Sequence, residues 1–308
     1  MGKNESQDVK VSVVIPTYKR DVAFVSRAVG SVLNQTYENI EVVVVDDSPS
    51  TYEKRSEVAE YMNGVAKADE RIVYIMNSKN LGGSLARNVG IDASKGEFIT
   101  FLDDDDEYKP EKVARQVAFM LERGCDVSFS NMVMYNNAGK VVDVREYHDI
   151  PAFDNETLLK YHLMHHMTGT PTFMYRAEKL REIGGFEDAK MGQEFYLMLK
   201  TIERGLSIGY IDNCDVIVYK HGGEAISNGK NKITGEKNVF EFKKKYFSRM
   251  SAKEIRFIKF RHEAVMTVAY IRNKNYISAL GSAIRAFFTA PVVFFKQVFG
   301  FIGKIVGR

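Results

Sequence analysis

Four carboxylates in a row, Asp103, Asp104, Asp105 and Asp106, follow directly on the apolar run Phe98-Ile99-Thr100-Phe101-Leu102. Like charges this close repel, so a cationic partner is expected among them. Carboxylate oxygens suit hard cations such as Mg2+ or Mn2+, which commonly bridge to the phosphates of a substrate. The same residues also read as a solvated acidic turn ahead of Pro110 and a helix. Two other apolar runs end at residues able to do chemistry. The first, at residues 9–15, stops at Pro16-Thr17-Tyr18, and the second, at residues 41–45, stops at Asp46-Asp47-Ser48. An acidic residue at the end of a second strand can accept from a ribose hydroxyl or a base N–H, while a metal at the fourth strand can hold a diphosphate.

Such side chains meet only if the strands beneath them lie side by side. The runs at 9–15, 41–45, 72–76 and 97–102 are mostly apolar and rich in β-branched residues, and the first is followed by the helical spacing Val22, Val25, Ala28, Val29 and Val32. Strand, helix and strand in that order predict an α/β fold with a mostly parallel buried sheet, whose ligands collect beyond the carboxyl ends of the strands. No internal repeat is visible, and no glycine fingerprint of the dinucleotide type follows the first strand, which argues against a nicotinamide cofactor.

With 308 residues, 45% of them apolar, the chain can bury one large domain or a main domain with an appendage. Its two cysteines, Cys125 and Cys214, supply neither a disulfide framework nor a metal cluster and suit a reducing cytosol. The first residues are polar and lack the apolar core of a secretory signal; Met1 to Ser6 fit a short myristoylation pattern, read here as chance. Net charge is only +3, but it is sorted along the chain: from Gly229 onward there are 17 Lys and Arg against 4 Asp and Glu, and before it 26 against 36. The last quarter is therefore expected to meet an anionic surface or to present a solvated basic face.

Four stretches taken together resemble a known family: Val11-Ser12-Val13-Val14-Ile15-Pro16-Thr17-Tyr18, Val45-Asp46-Asp47-Ser48, the stretch 80–91 containing Gly82-Gly83-Ser84 and Ala86-Arg87-Asn88, and Phe101-Leu102 with the four aspartates. Their order and spacing are similar to those of the GT-A fold, family 2 inverting glycosyltransferases, over about the first 230 residues. The resemblance implies a GT-A, Rossmann-like catalytic domain over residues 1–232, with a nucleotide-sugar half to about 110 and an acceptor half from 111. By the same resemblance Thr17 and Asp47 contact the uridine of a UDP-sugar, and Arg87 lies against the nucleotide or its diphosphate. Asp103 and Asp105 form the DxD pair, with Asp105 the principal ligand of Mn2+ or Mg2+, Asp103 nearer the ribose, and Asp104 in the variable position. In isolation each has a plainer reading: Thr17 as a helix cap, Asp47 in a turn, Arg87 paired with Asp92 or Glu97.

Downstream, a helix is expected from Pro110 to about Glu122, then a strand at 126–131 and a hairpin-like turn at Asn136-Asn137-Ala138-Gly139. The adjacent His165 and His166 are expected to be structural, since neighbours in sequence rarely point at one ion. Ile183-Gly184-Gly185-Phe186 resembles the turn before the family's catalytic helix, which would open at Gln193-Glu194 where family members carry Glu-Asp. The resemblance then makes Glu194 the general base, with Glu187 and Asp188 as competitors. It places His221 as a late metal ligand and Ser227, Lys230 and Lys232 at the phosphates, on a loop eased by Gly222, Gly223 and Gly229.

Residues 233–308 are expected to form a basic helical extension. After Ala286 the apolar run is interrupted, and Arg285, Lys296, Gln297, Lys304 and Arg308 cluster on a helical wheel split at Pro291. That pattern suits an amphipathic helix lying on an anionic membrane surface, with a homo-oligomer helix as the alternative and nucleic acid not expected. The expectation is an enzyme peripheral to the cytoplasmic face of the membrane, moving a sugar from a UDP-sugar to a lipid-linked or oligosaccharide acceptor in bacterial surface-glycan synthesis. The alternatives are an inactive nucleotide-sugar-binding or membrane-adaptor protein, and a nucleotidyltransferase.

Overall fold

The computed structural model describes residues 9–167, 169–220 and 230–296, with the Lys230 side chain left out. The chain divides into two compact units, one of Met1–Leu158 with Met167–Gly222, the other of Leu159–His166 with Gly223–Arg308.

In the first unit β1 (Val11–Thr17), α1 (Val22–Leu33), β2 (Ile40–Asp46), α2 (Arg55–Ala68), β3 (Ile72–Met76), α3 (Gly83–Ala93) and β4 (Phe98–Phe101) alternate. They are followed by β5 (Glu107–Tyr108), α4 (Lys112–Arg123), β6 (Val127–Asn136) and β7 (Val141–Arg145). Next come α5 (Asn155–His165), most of which belongs to the second unit, then β8 (Met174–Arg176), α6 (Ala177–Glu182), α7 (Gln193–Glu203) and β9 (Ile208–Lys220). The strands form one nine-stranded sheet in the order β3-β2-β1-β4-β8-β6-β9-β5, with β7 on β6. The first four are parallel, as continuous apolar runs require, whereas β8 runs antiparallel between β4 and β6. Every residue of β2 and β4 is buried, and the core gathers Val13, Ile15, Val42, Val44 and Phe98 against Val25, Val29 and Val32 of α1.

Two strand boundaries move from their sequence-based positions. β1 continues through Pro16 to Thr17, because pairing with β4 has already ended at Val14 and the N–H that proline lacks would have pointed to that side. β6 runs on to Asn136, its far end held between β7 and β9, and turns at Gly139, where φ is +70°.

The second unit contains α8 (Lys230–Lys243), a 3-10 turn over Lys244–Arg249, α9 (Ala252–Arg272) and α10 (Tyr276–Thr289). Helix α9 opens with a capping box: the Ser251 hydroxyl accepts from the Glu254 N–H, and the Glu254 carboxylate accepts from the Ser251 N–H at 2.7 Å. Helix α10 packs on α9 through small residues, Ala279, Ser282 and Ala286, and ends before Pro291, after which residues 291–296 form a further helical turn. Among the described residues no helix is long and apolar enough to cross a membrane.

Candidate active site

The carboxyl ends of β1, β2 and β4 bring together the residues at which the apolar runs stop. Thr17, 2% exposed, hydrogen-bonds the Asp104 side chain, and the Tyr18 N–H reaches Asp104 Oδ2 at 3.3 Å. Arg20 then forks across the acidic stretch, its Nε 2.9 Å from Asp104 Oδ1 and its terminal nitrogen on Asp105 Oδ2. Arg27 of α1 donates to the Asp105 carbonyl at 2.5 Å and pairs with Glu107 at 3.2 Å. The cation that four adjacent carboxylates demand is therefore supplied here by arginines. Burial would lower the Arg20 pKa, but the charges of Asp104 and Asp105 outweigh it and raise it. Burial also pushes the Asp104 carboxyl up to about 6 against the pull of Arg20, with the Asp105 charge adding to the rise. Asp106 rises well above the ordinary carboxylate range for the same reason, with Asp103 and Asp105 beside it.

Asp47 is held by the loop that leads into α3. Its Oδ1 accepts from Asn77 Nδ2 and the Leu81 N–H, and its Oδ2 from the Gly82 N–H, all at 2.8 Å. Asp47 is 2% exposed, and both its oxygens are taken up by this loop.

Arg87, 8% exposed, is the centre of a second constellation. One guanidinium nitrogen donates to the Gly83 carbonyl at 3.1 Å and to Gln193 Oε1 at 2.7 Å, the other to Asp103, while its carbon lies 5.6 Å from the Phe186 ring centre. The pairings with Asp92 or Glu97 do not form. Gly83 lets the two side chains approach: a Cβ there would stand 3.2 Å from the guanidinium and 3.4 Å from the Gln193 amide, so both would have to give slightly. Phe186 is fixed by a reciprocal pair in which Asn88 Nδ2 donates to its carbonyl and its N–H donates to Asn88 Oδ1, both at 2.8 Å. At Gly185, φ is +56° and an added Cβ would come within 2.5 Å of Asn88 Oδ1, so the turn admits no side chain. The stretches 82–91 and 183–186 thus act as one device that sets Arg87 against Asp103 and the start of α7.

Glu194 lies half-buried in the first turn of α7, where the helix dipole favours a carboxylate. At the far edge of the cluster the Tyr219 N–H donates to Asp106 Oδ1 at 3.0 Å, and the Arg27 guanidinium sits 4.4 Å over the Tyr219 ring, so β9 ends pinned to the acidic stretch. His221 and Ser227, with the Lys230 side chain, Gly222, Gly223 and Gly229, lie outside the described residues, as do the myristoylation pattern and Gln297, Lys304 and Arg308. Among the described residues no three His, Cys, Asp or Glu side chains converge as a metal-binding group. The donor set nevertheless fits a hard cation: Asp103 and Asp105 keep side-chain exposures of 37% and 21%, and the four aspartates outnumber the guanidinium groups set on their side chains. His165 and His166 take separate partners: the first stacks on Tyr161 at 4.6 Å, the second meets Lys243 at 2.6 Å.

Three residues central to this geometry, Arg20, Arg27 and Gln193 as the partner of Arg87, were not assigned roles by sequence reasoning. The signal available was the cluster's need for a cation, which did not distinguish metal from arginine.

Several known proteins are similar to this chain in sequence or in fold. The chain is 38% identical over 143 residues to an uncharacterized glycosyltransferase of Rickettsia bellii, a match covering 46% of this chain and 20% of that protein. The first relatives are thus longer proteins, of which the matched stretch spans about a fifth. It is 29% identical to the Bacillus subtilis protein described as a putative teichuronic acid biosynthesis glycosyltransferase, TuaG, over 71% of this chain and 82% of that one. In fold it matches S. aureus TarS residues 1–349, crystallised with UDP-GlcNAc, with a TM-score of 0.60 and 19% identity over 91% of both chains, so the architecture is GT-A. The family model for glycosyl transferase family 2 matches residues 12–184, the stretch that carries β1 through the Gly184-Gly185 turn, and the chain belongs to that family.

Proposed function

We propose that this protein is an inverting glycosyltransferase that moves a sugar from a UDP-sugar to a hydroxyl of a lipid-linked or oligosaccharide acceptor, in synthesis of a bacterial surface polysaccharide. The observation that supports this most is the meeting of Thr17, Arg20, Arg87 and the four aspartates at the carboxyl ends of β1 and β4, with Arg87 bonded to Gln193 beside Glu194. The relatives support the setting: TuaG is named for teichuronic acid synthesis and TarS was crystallised with UDP-GlcNAc. The basic helical extension supports work at the cytoplasmic face of an anionic membrane.

In this reading Asp47 and Thr17 orient the uridine, and Arg87 lies against the diphosphate. Asp105, with Asp103, would hold Mn2+ or Mg2+, which supplies Lewis-acid neutralisation of the leaving diphosphate. By the family resemblance His221 would be a further candidate for the metal, and Ser227 and Lys230 for the phosphates. The acceptor oxygen forms a bond to the anomeric carbon as the bond from that carbon to the UDP oxygen breaks on the opposite side. Glu194 takes the acceptor proton, UDP leaves with the electron pair, and the configuration inverts. Arg87 is already braced on Gln193, Gly83 and Phe186, so little reorganisation is needed as charge gathers on UDP.

The test is to incubate the chain with labelled UDP-sugars, Mn2+ and membrane extract and to follow UDP release. Glu194→Gln should leave nucleotide binding intact while lowering transfer by about a hundredfold or more. Asp105→Ala should abolish cation-dependent UDP binding in a thermal-shift assay. Binding without hydrolysis or transfer for any donor would replace the enzyme by a nucleotide-sugar-binding protein.

A further inference from the structure

We propose that the outer face of α10, continued by the last turns of α9, is a membrane-docking surface that enters an anionic bilayer. The inference rests on the membrane placement proposed above and gives it a contact face within the described residues. On α10 the residues Ala279, Ser282 and Ala286 are buried against the rest of the unit. The opposite side carries Ile277, Leu280, Ile284 and Phe288, which are 89%, 64%, 47% and 76% exposed. Their spacing of three, four and four residues keeps them on one stripe of a helix. Val268 and Ile271 of α9, each 49% exposed, and Tyr276 at the start of α10, 65% exposed, are further exposed apolar side chains in the same pair of helices. A row of side chains this large, fully wetted on a helix whose other face is already packed, marks a site of association rather than a solvated surface.

The charge around the stripe identifies the occupant. From Ala264 to Arg308 the sequence has no Asp or Glu and six Lys or Arg. Arg272 and Lys274 stand exposed in the turn between the two helices, and Lys296 beyond Pro291. A second copy of this chain placed across a two-fold axis on the stripe would set these cations against their own kind, and Glu263, the acid preceding them in sequence, is already paired with Arg285 at 2.8 Å. An anionic bilayer offers the complement: acyl chains for the stripe and phosphate headgroups for the flanking cations, at about 1 kcal/mol per cation near the surface. Lying in the plane of the interface, such a helix needs neither the length nor the uniform apolarity of a spanning one.

The chain contains no tryptophan, so Ile277→Trp in the full-length protein creates a single fluorescent reporter on the stripe. With phosphatidylcholine vesicles containing phosphatidylglycerol, its emission should shift to the blue and be quenched by brominated acyl chains. With phosphatidylcholine alone both changes should be much smaller. Replacing Ile277 and Phe288 together by serine should weaken flotation with anionic vesicles by about tenfold or more, with the helical content unchanged. Flotation of the Ile277→Trp protein with solvent-like emission would assign the membrane contact to another face and overturn the proposal. So would a blue shift without lipid accompanied by a dimeric mass. Release of UDP measured without vesicles is a separate readout. Its absence in the unmodified chain would sink the catalytic reading and leave the docking result standing, while normal release in a chain that never floats would do the reverse.

Discussion

The two units each concentrate charge of one sign, and they differ in how far counterions relieve the repulsion. In the first, four aspartates stay close together by drawing in Arg20, Arg27 and Arg87, and two of them remain partly open to solvent. In the second, Lys243 of α8 lies 4% exposed against His166, with Arg261 of α9, His162 of α5 and Lys232 also near that histidine. The acid available there, Glu236, already meets His262 at 3.2 Å, and that ring stacks on Phe240 at 4.0 Å. This cluster gives up protons instead: burial, with Arg261 beside it, lowers the Lys243 pKa to about 7, and burial with the surrounding cations holds His166 well below the usual histidine range. In the acidic rim burial raises the carboxyls of Asp104 and Asp106, arginines brace the remainder, and Asp103 and Asp105 stay partly open to solvent. In the basic cluster burial disfavours the charged forms of Lys243 and His166, which suits a packed interior.

The sharpest way to break this contrast is to remove a counterion from the acidic rim. Arg20→Ala leaves Asp104, almost wholly buried, beside Asp105 without its guanidinium partner. Breaking a fully buried pair costs about 3 to 5 kcal/mol, and since the Arg20 side chain is one third exposed the loss should be nearer 2 to 3. Urea unfolding at neutral pH would measure it, and Mn2+ should restore part of the stability while having less effect on the unmodified chain. Equal stability of variant and parent without cation would mean that the aspartates tolerate one another unaided.

The basic cluster makes the opposite demand. The Lys243 pKa falls from its ordinary 10.5 to about 7 on folding, so between those values the unfolded chain holds a proton that the folded chain does not. Stability of the second unit should therefore rise with pH, on the order of 2 kcal/mol between pH 7.5 and 9.5. His166 extends the trend downward, because its depressed pKa removes stability as pH falls below about 6.5. Lys243→Met should stabilise the unit at neutral pH and flatten the alkaline part of the slope. Hydrogen exchange of α8 and α9 amides across this range would follow it, and a slope unchanged in Lys243→Met would place the titrating group elsewhere.

The contrast also explains what could be read from the sequence. The parallel strands announced themselves because buried strands must be apolar on both faces, and Thr17, Asp47 and residues 103–106 were conspicuous as the polar residues that end them. Arg20 was not, because its reach to Asp104 depends on a short loop in which Lys19 takes a φ of +51° and donates its N–H to Ser48. β8 escaped notice because three residues carry no periodicity, and its place between β4 and β6 is decided by sheet pairing. Lys112 reads as an ordinary helix residue, yet its Nζ is buried 2.6 Å from Thr100 Oγ1 and 4.1 Å over the Tyr108 ring. The meeting of His166 with Lys243 joins positions 77 apart with no pattern between them. Local chemistry was legible, and long-range partners of charged side chains were not.

The gentlest probe adds one charge to the acidic rim. In Gln193→Glu the new carboxylate would occupy the position from which Gln193 Oε1 accepts the Arg87 bond at 2.7 Å, converting a neutral acceptor into a charged one. The guanidinium already makes this bond charge-assisted and the substitution turns it into an ion pair, but Arg87 already serves Asp103, and the amide nitrogen lost lies near Gly83. The net gain should be about 1 kcal/mol or less, seen as a small rise in melting temperature. Because Arg87 would then divide its charge between two carboxylates, UDP affinity in the absence of divalent cation should fall slightly, and added Mn2+ should recover it. A fall in melting temperature would mean that repulsion between the introduced carboxylate and Asp103 exceeds what Arg87 can offset, placing the rim at the limit of negative charge that its arginines can hold.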